Sequence, residues 1–254
     1  MAMTTAALRP AGRTLSWLLV FGAILLAWIT MFAMARMAGV DVLGRPVGMN
    51  MMPMTRFGAL FPMWAIMMAA MMLPTMVPTL ADYERLMTAA DGTRAGWWGV
   101  LLGYGVAWIG FAALIALAQV GLMAMGWLDG LGAATSGLLT AGLLLAVGGF
   151  QFSRTKAVCH GRCHAPMTFF LGHWRTGFAG GIDMGLRLGG YCVVCCWGFM
   201  ALGFVGGVMS LLWMGLATLF MVFEKLPVVG HRLIRPAGAV LIAAGLIAAA
   251  LAFA

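Results

Sequence analysis

Charge is scarce in this chain. Only 9% of the 254 residues are charged, 15 Lys and Arg against 7 Asp and Glu, and none stands between Gly190 and Glu224. With 63% hydrophobic residues and a mean hydropathy of +1.01, no soluble core could enclose so much apolar surface. The composition therefore excludes a soluble domain and requires a polytopic membrane protein, with the lipid bilayer as its first partner. No nucleotide-binding motif is present, which excludes an ATP-driven pump. Cysteine is sparse and odd in number, five in all, which argues against a simple disulfide framework. The net charge of +8 sits in short polar segments between apolar runs. It acts as an orientation signal rather than a nucleic-acid footprint, and no nucleic-acid partner is expected.

The apolar runs predict an all-α transmembrane helical bundle of six or seven spans, a single domain over 1–254. The spans are expected near 14–36, 59–80, 97–125, 132–152, 178–206, 210–224 and 237–254. The first run, Leu15 to Met34, is too long for a signal-peptide core and lacks a clear small-residue cleavage site, so it reads as a retained span. The uncharged run from Gly190 would reach about 50 Å as one helix, against a hydrocarbon core of about 30 Å. It is therefore expected to break at Gly206, Gly207 and Ser210. Left unbroken, the bundle has six spans and its basic loops fall on opposite sides. Seven spans with the N-terminus inside put the basic segments around Arg85–Arg94, Arg154–Arg175 and Lys225–Arg235 in the cytoplasm, as the positive-inside rule prefers. Mixed-charge residues 82–94 and basic residues 153–177 read as loops. Gly99 and Gly103, and Gly177, Gly181, Gly185 and Gly189, mark ridges for close helix contact. Asp183 and Arg187 form an i,i+4 pair at the membrane boundary.

All five cysteines fall between Cys159 and Cys196. The stretch CHGRCH supplies Cys159, His160, Cys163 and His164, and YCVVCCW supplies Cys192, Cys195 and Cys196. On a helix, Cys159 and Cys163 share one face with His160 and His164 beside them, and Cys192 and Cys196 share another. The second pair continues the glycine ridge, so a metal there would sit between helices rather than against lipid. Thiolate and imidazole are ligands for Cu(I), Zn and Fe–S. Any one such cysteine is ordinarily packing; all five in two clusters with neighbouring histidines point to metal or redox chemistry.

Methionine supplies a second set of soft donors. Met49, Met51, Met52 and Met54 crowd one polar loop. In the second span Met63, Met67 and Met71 recur every four residues beside Met68, Met72 and Met76. Thioethers select Cu(I), although a methionine stripe is also the usual filler of an irregular core. Pro74 and Pro78 predict a kink at the end of that span.

These residues carry a resemblance. The pattern W-A-x-M-M-x-A-M-M-x-P at Trp64–Pro74 resembles a bacterial family of integral membrane proteins predicted to bind metal. So do C-x-x-x-C-x-x-P at Cys159–Pro166, Y-C-x-x-C-C-W at Tyr191–Trp197, G-V-M-x-x-x-W-M at Gly207–Met214, and Glu224-Lys225. The likeness covers about residues 50–245. One member of that family is encoded beside a tyrosinase-type polyphenol oxidase and serves as its copper chaperone. The chain departs from the pattern in His160 and His164, in Val194 where Gly is common, and in Ser210 where Asn is common. The resemblance implies a non-enzymatic copper chaperone of a bacterial inner membrane, multi-pass, carrying Cu(I) to a client cuproenzyme, with an oligomer allowed. It implies Cys159, Cys163, Cys192, Cys195 and Cys196 as ligands, with Met67, Met68, Met71 and Met72 as further donors; His160 and His164, which lie outside the pattern, are either additional metal ligands beside the cysteines or ordinary loop residues. Two alternatives remain: a membrane thiol–disulfide oxidoreductase using Cys192-x-x-Cys195, and a structural subunit whose cysteines and methionines only pack.

Overall fold

The computed structural model describes residues 3–47, 55–226 and 230–253, with side chains from residue 12 onward except at His231. Among the described residues the chain is helical: α1 (Met3–Met37), α2 (Phe57–Met87), α3 (Arg94–Ala124), α4 (Gly137–Phe150), α5 (Arg154–His164), α6 (Pro166–His173), α7 (Gly177–Ala201), α8 (Gly203–Gly206), α9 (Leu211–Glu224) and α10 (Gly230–Phe253). Five stretches are long and apolar enough to cross a membrane: Gly12–Met37, Phe57–Met87, Arg94–Ala124, Gly177–Gly206 and Arg232–Phe253. α4 and α9 are apolar but have 14 residues each. That is about 21 Å of helix, short of the ~30 Å hydrocarbon core. The six or seven expected spans thus resolve into five full-length helices and two short ones.

The expected break is present. α8 follows α7 directly and is capped by Gly207, whose φ of +88° suits only glycine. Ser210 then opens α9, its hydroxyl accepting the Trp213 amide at 3.3 Å. Two loops of the same design flank this break. Asp41 accepts the amides of Leu43 and Arg45 at 2.9 and 2.7 Å, and Asp129 accepts those of Leu131 and Ala133 at 2.9 and 2.8 Å. Each loop closes in an isolated bridge, Val40 with Pro46 and Leu128 with Ala134. The first loop takes the Leu212 amide on the Val42 carbonyl, and the second gives the Ala134 amide to the Phe204 carbonyl. Backbone groups freed by the broken helix are thus satisfied by neighbouring loops.

Two segments expected as loops are largely helical. α2 continues through Pro62, Pro74 and Pro78 to Met87, so Asp82, Glu84 and Arg85 stand on its last turns. Glu84 accepts from Arg94 at 2.6 Å, Trp17 at 3.1 Å and Arg13 at 3.2 Å, which ties α1 and α3 to the end of α2. The basic segment 153–177 contains α5 and α6. Ser153 caps α5 through the Lys156 amide at 3.0 Å. Pro166 opens α6 and holds Ala165 outside the helical region, at φ −120° and ψ 66°, so the chain turns between the two. Asp183 pairs with Arg187 at 3.1 Å, as expected, and also with Arg175 at 3.4 Å.

α3 and α7 run side by side in the same direction with their backbones in close contact. A Cβ on Gly181 would strike the Gly96 carbonyl, one on Gly185 the Val100 carbonyl, and one on Gly103 the Ile182 carbonyl. The glycine ridges therefore face one another, as small residues do at close helix seams. α10 packs on α4 in the same way through Gly148, Gly238 and Gly245.

Candidate metal centre

The glycine contact fixes the register of α3 against α7 along their whole shared length. Beside Gly189 lies Tyr104, whose Cα is 3.2 Å from where a Cβ would stand. One turn on, Cys192 and Cys195 share a buried face at i,i+3 spacing. α5 packs against α7 and brings Cys163 to the same place. The sulfurs of Cys163, Cys192 and Cys195 all lie within 4.8 Å of one another. Cys163 and Cys195 are 3.8 Å apart, and Cys196 stands 3.4 Å from Cys195. All five cysteines are free thiols, so the group is a buried cluster of soft donors rather than a disulfide.

Positive charge converges on this cluster. The chain has only two lysines, Lys156 and Lys225, and both are buried beside it. Lys225 donates to the Thr75 hydroxyl at 3.0 Å and reaches the Tyr104 hydroxyl at 3.5 Å. That hydroxyl stands 3.1 Å from the Cys192 sulfur. Lys156 donates to the Cys195 carbonyl at 2.8 Å and pairs with Glu224 at 2.5 Å. Burial presses the Lys156 ammonium toward neutrality, but Glu224 and the sulfurs of Cys196 and Cys195 outweigh it and raise its pKa. Thiolates in an apolar interior need such compensation, because an uncompensated buried charge is expensive.

The remaining expected ligands are placed differently. Cys159 lies one turn before Cys163 on α5 and is buried, outside the three-sulfur group; burial pushes its thiol up against the pull of Arg162 and Lys156. His160 and His164 stack on each other at 5.1 Å, and His160 Nδ1 is 3.7 Å from Glu224. They belong to the Lys156–Glu224 end of the site rather than to the three sulfurs. Met67, Met68, Met71 and Met72 are all buried in α2. Met68 and Met72 line an apolar cavity of about 280 Å³ between α2 and α3, together with Tyr104 and Trp108. Met49, Met51, Met52 and Met54 lie outside the described residues.

Sequence reasoning did not assign Tyr104, Thr75, Lys156, Glu224 or Lys225 to the site. The signal available for three of them was rarity: two lysines in the whole chain, and Glu224-Lys225 at the end of the uncharged run. Tyr104 and Thr75 carry no such mark.

No curated protein and no solved structure matches the chain. The PpoB2 family, described as copper chaperone, matches residues 61–248, a span that runs from α2 into α10 and includes every cysteine. The match supports a copper-handling, accessory role, and a buried group of three thiols is a donor set suited to such a metal. On that coverage, the chain belongs to the PpoB2 copper chaperone family.

Proposed function

We propose that the protein binds Cu(I) at Cys163, Cys192 and Cys195 within the membrane and delivers it to a copper enzyme. The observation that carries this reading is the buried group of three thiols within 4.8 Å, with no carboxylate among its ligand atoms. Three sulfurs and no hard oxygen ligand favour Cu(I) over zinc. Cys196, beside Cys195, and Cys159, one turn along α5, are the next thiols to which copper passes on leaving. Copper is cargo here: it moves by exchange of sulfur ligands and its oxidation state does not change. The chain is a single domain crossing a bacterial inner membrane seven times, with α4 and α9 as short crossings and α5 and α6 on the cytoplasmic side. The excess of Arg and Lys at that end supports this orientation.

The oxidoreductase reading is less well supported. Cys192 and Cys195 lie in the interior of α7, not at a helix N-terminus, where a C-x-x-C thiolate gains its reactivity.

The test is metal content. Purified, reduced protein is expected to take up Cu(I) in preference to zinc and to show sulfur-only coordination by X-ray absorption. Cys163→Ser with Cys195→Ser is expected to abolish copper binding at the three-sulfur site, read as loss of the thiolate-to-copper absorbance, while folded protein is still recovered from the membrane. Stoichiometric zinc with no Cu(I) refutes the proposal.

A further inference from the structure

α2 and α9 run in the same direction along a shared seam. Their alignment is set at both ends. At one end Lys225, at the cap of α9, donates to Thr75 on α2. At the other, Met209 and Met63 line the same small pocket. One, two and three turns before Thr75, α2 carries Met71, Met67 and Met63; before Lys225, α9 carries Met221 and Met214, with Met209 just ahead of its first turn. All six are buried. On α2 the i,i+4 spacing stands Met63, Met67 and Met71 one above another on a single face, and on α9 Met214, Met221 and Lys225 share one at i,i+7 and i,i+4, with Met209 leading into it.

We propose that α9 supplies the second wall of a thioether track along the α2–α9 seam, by which Cu(I) travels from the broken segment at Gly207–Ser210 to the cysteine cluster. The proposal rests on the copper reading above and adds to it a route and three residues, Met209, Met214 and Met221. A single methionine stripe offers one sulfur about every 6 Å of rise, too sparse for a cation that should not shed its ligands in an apolar interior. Two facing stripes of independent spacing interleave their donors and shorten each step. At every step one copper–sulfur bond forms as another breaks. The charge on copper stays the same and no proton moves, because a thioether has none to lose. Leucine would fill the same seam with less side-chain entropy lost on burial, but methionine is also the usual filler of an irregular core, so leucine variants separate a track from packing.

The full chain in sealed liposomes tests this. Cu(I) is supplied as a chelator complex from the side on which Met209 lies, and filling of the cysteine site is followed by its ultraviolet thiolate-to-copper absorbance. Met214→Leu with Met221→Leu is expected to fill roughly tenfold or more slowly while reaching the same final copper content. Met184→Leu, buried on α7 away from the seam, is expected to fill at the unaltered rate. A double variant that fills as fast as the unaltered chain overturns the track but leaves the cysteine site standing. An unaltered chain that never shows copper on thiolate overturns the underlying reading and the track with it. A second measurement holds even if the leucine variant misfolds. Selenomethionine-labelled protein with Cys163→Ser and Cys195→Ser is loaded with Cu(I) and its X-ray absorption recorded. Copper–selenium scattering is expected; copper with only nitrogen or oxygen neighbours, or no bound copper, overturns the track.

Discussion

The Tyr104 hydroxyl and the Cys192 sulfur stand 3.1 Å apart, on two helices whose backbones touch through glycine one turn earlier. The phenol connects the sulfur to Thr75 and Lys225. Tyr104→Phe removes this link and little volume. A net hydrogen bond contributes about 0.5–1.5 kcal/mol, so Cu(I) affinity is expected to fall by up to about tenfold, measured by competition with a soluble Cu(I) chelator. An unchanged affinity would show that the phenol only fills space.

The spacing between the two helices is open to a separate test. Gly185→Ala drives a methyl group into the Val100 carbonyl. Overpacking of this kind costs about 1–3 kcal/mol and pushes α3 from α7, so lower thermal stability and weaker copper retention are expected together. Gly105→Ala, on α3 but with no atom within 4 Å, is expected to change neither. Equal behaviour of the two variants would count against the glycine seam as the device that positions Tyr104.

Lys156 and Glu224 are nearly inaccessible, their side chains 0% and 3% exposed. Lys156→Met leaves a buried carboxylate without its cation, a loss of roughly 3–5 kcal/mol. Lys156→Met with Glu224→Leu removes both charges and is expected to recover most of that stability. Thermal unfolding in detergent reads both; a double variant no better than the single would mean that the pair is not the stabilising unit.

Orientation can be read by labelling. On a cysteine-free background, Val47→Cys and Leu171→Cys place thiols at positions 64% and 70% exposed. An impermeant maleimide applied to intact cells stripped of any outer membrane is expected to label the first and spare the second. Labelling of both would defeat the inside-positive arrangement.

The break at Gly206, Gly207 and Ser210 was legible because an uncharged run longer than the bilayer must bend, and glycine and an N-capping serine are what a bend uses. The facing glycine ridges were legible for a similar reason: a four-residue repeat has only one face. The membership of the sulfur group was not. Spacing within a helix says which residues share a face but not which partner helix that face meets, so Cys163 could not be told from Cys159. The helix at CHGRCH was hidden because its charges and histidines outweigh its helical signals in composition. The prolines of α2 do not mark its end. Packing on α1 and α3, with Glu84 bonded to Arg94, Trp17 and Arg13, carries the helix past Pro74 and Pro78 despite their missing donors.

The chain's two lysines are both buried at the cluster, 0% and 9% exposed. An amine-acylating reagent therefore modifies them readily only when the neighbourhood of the sulfurs opens. The extent of acylation at Lys156 and Lys225, read by mass spectrometry, becomes a clock for that opening, and it runs without touching a single thiol.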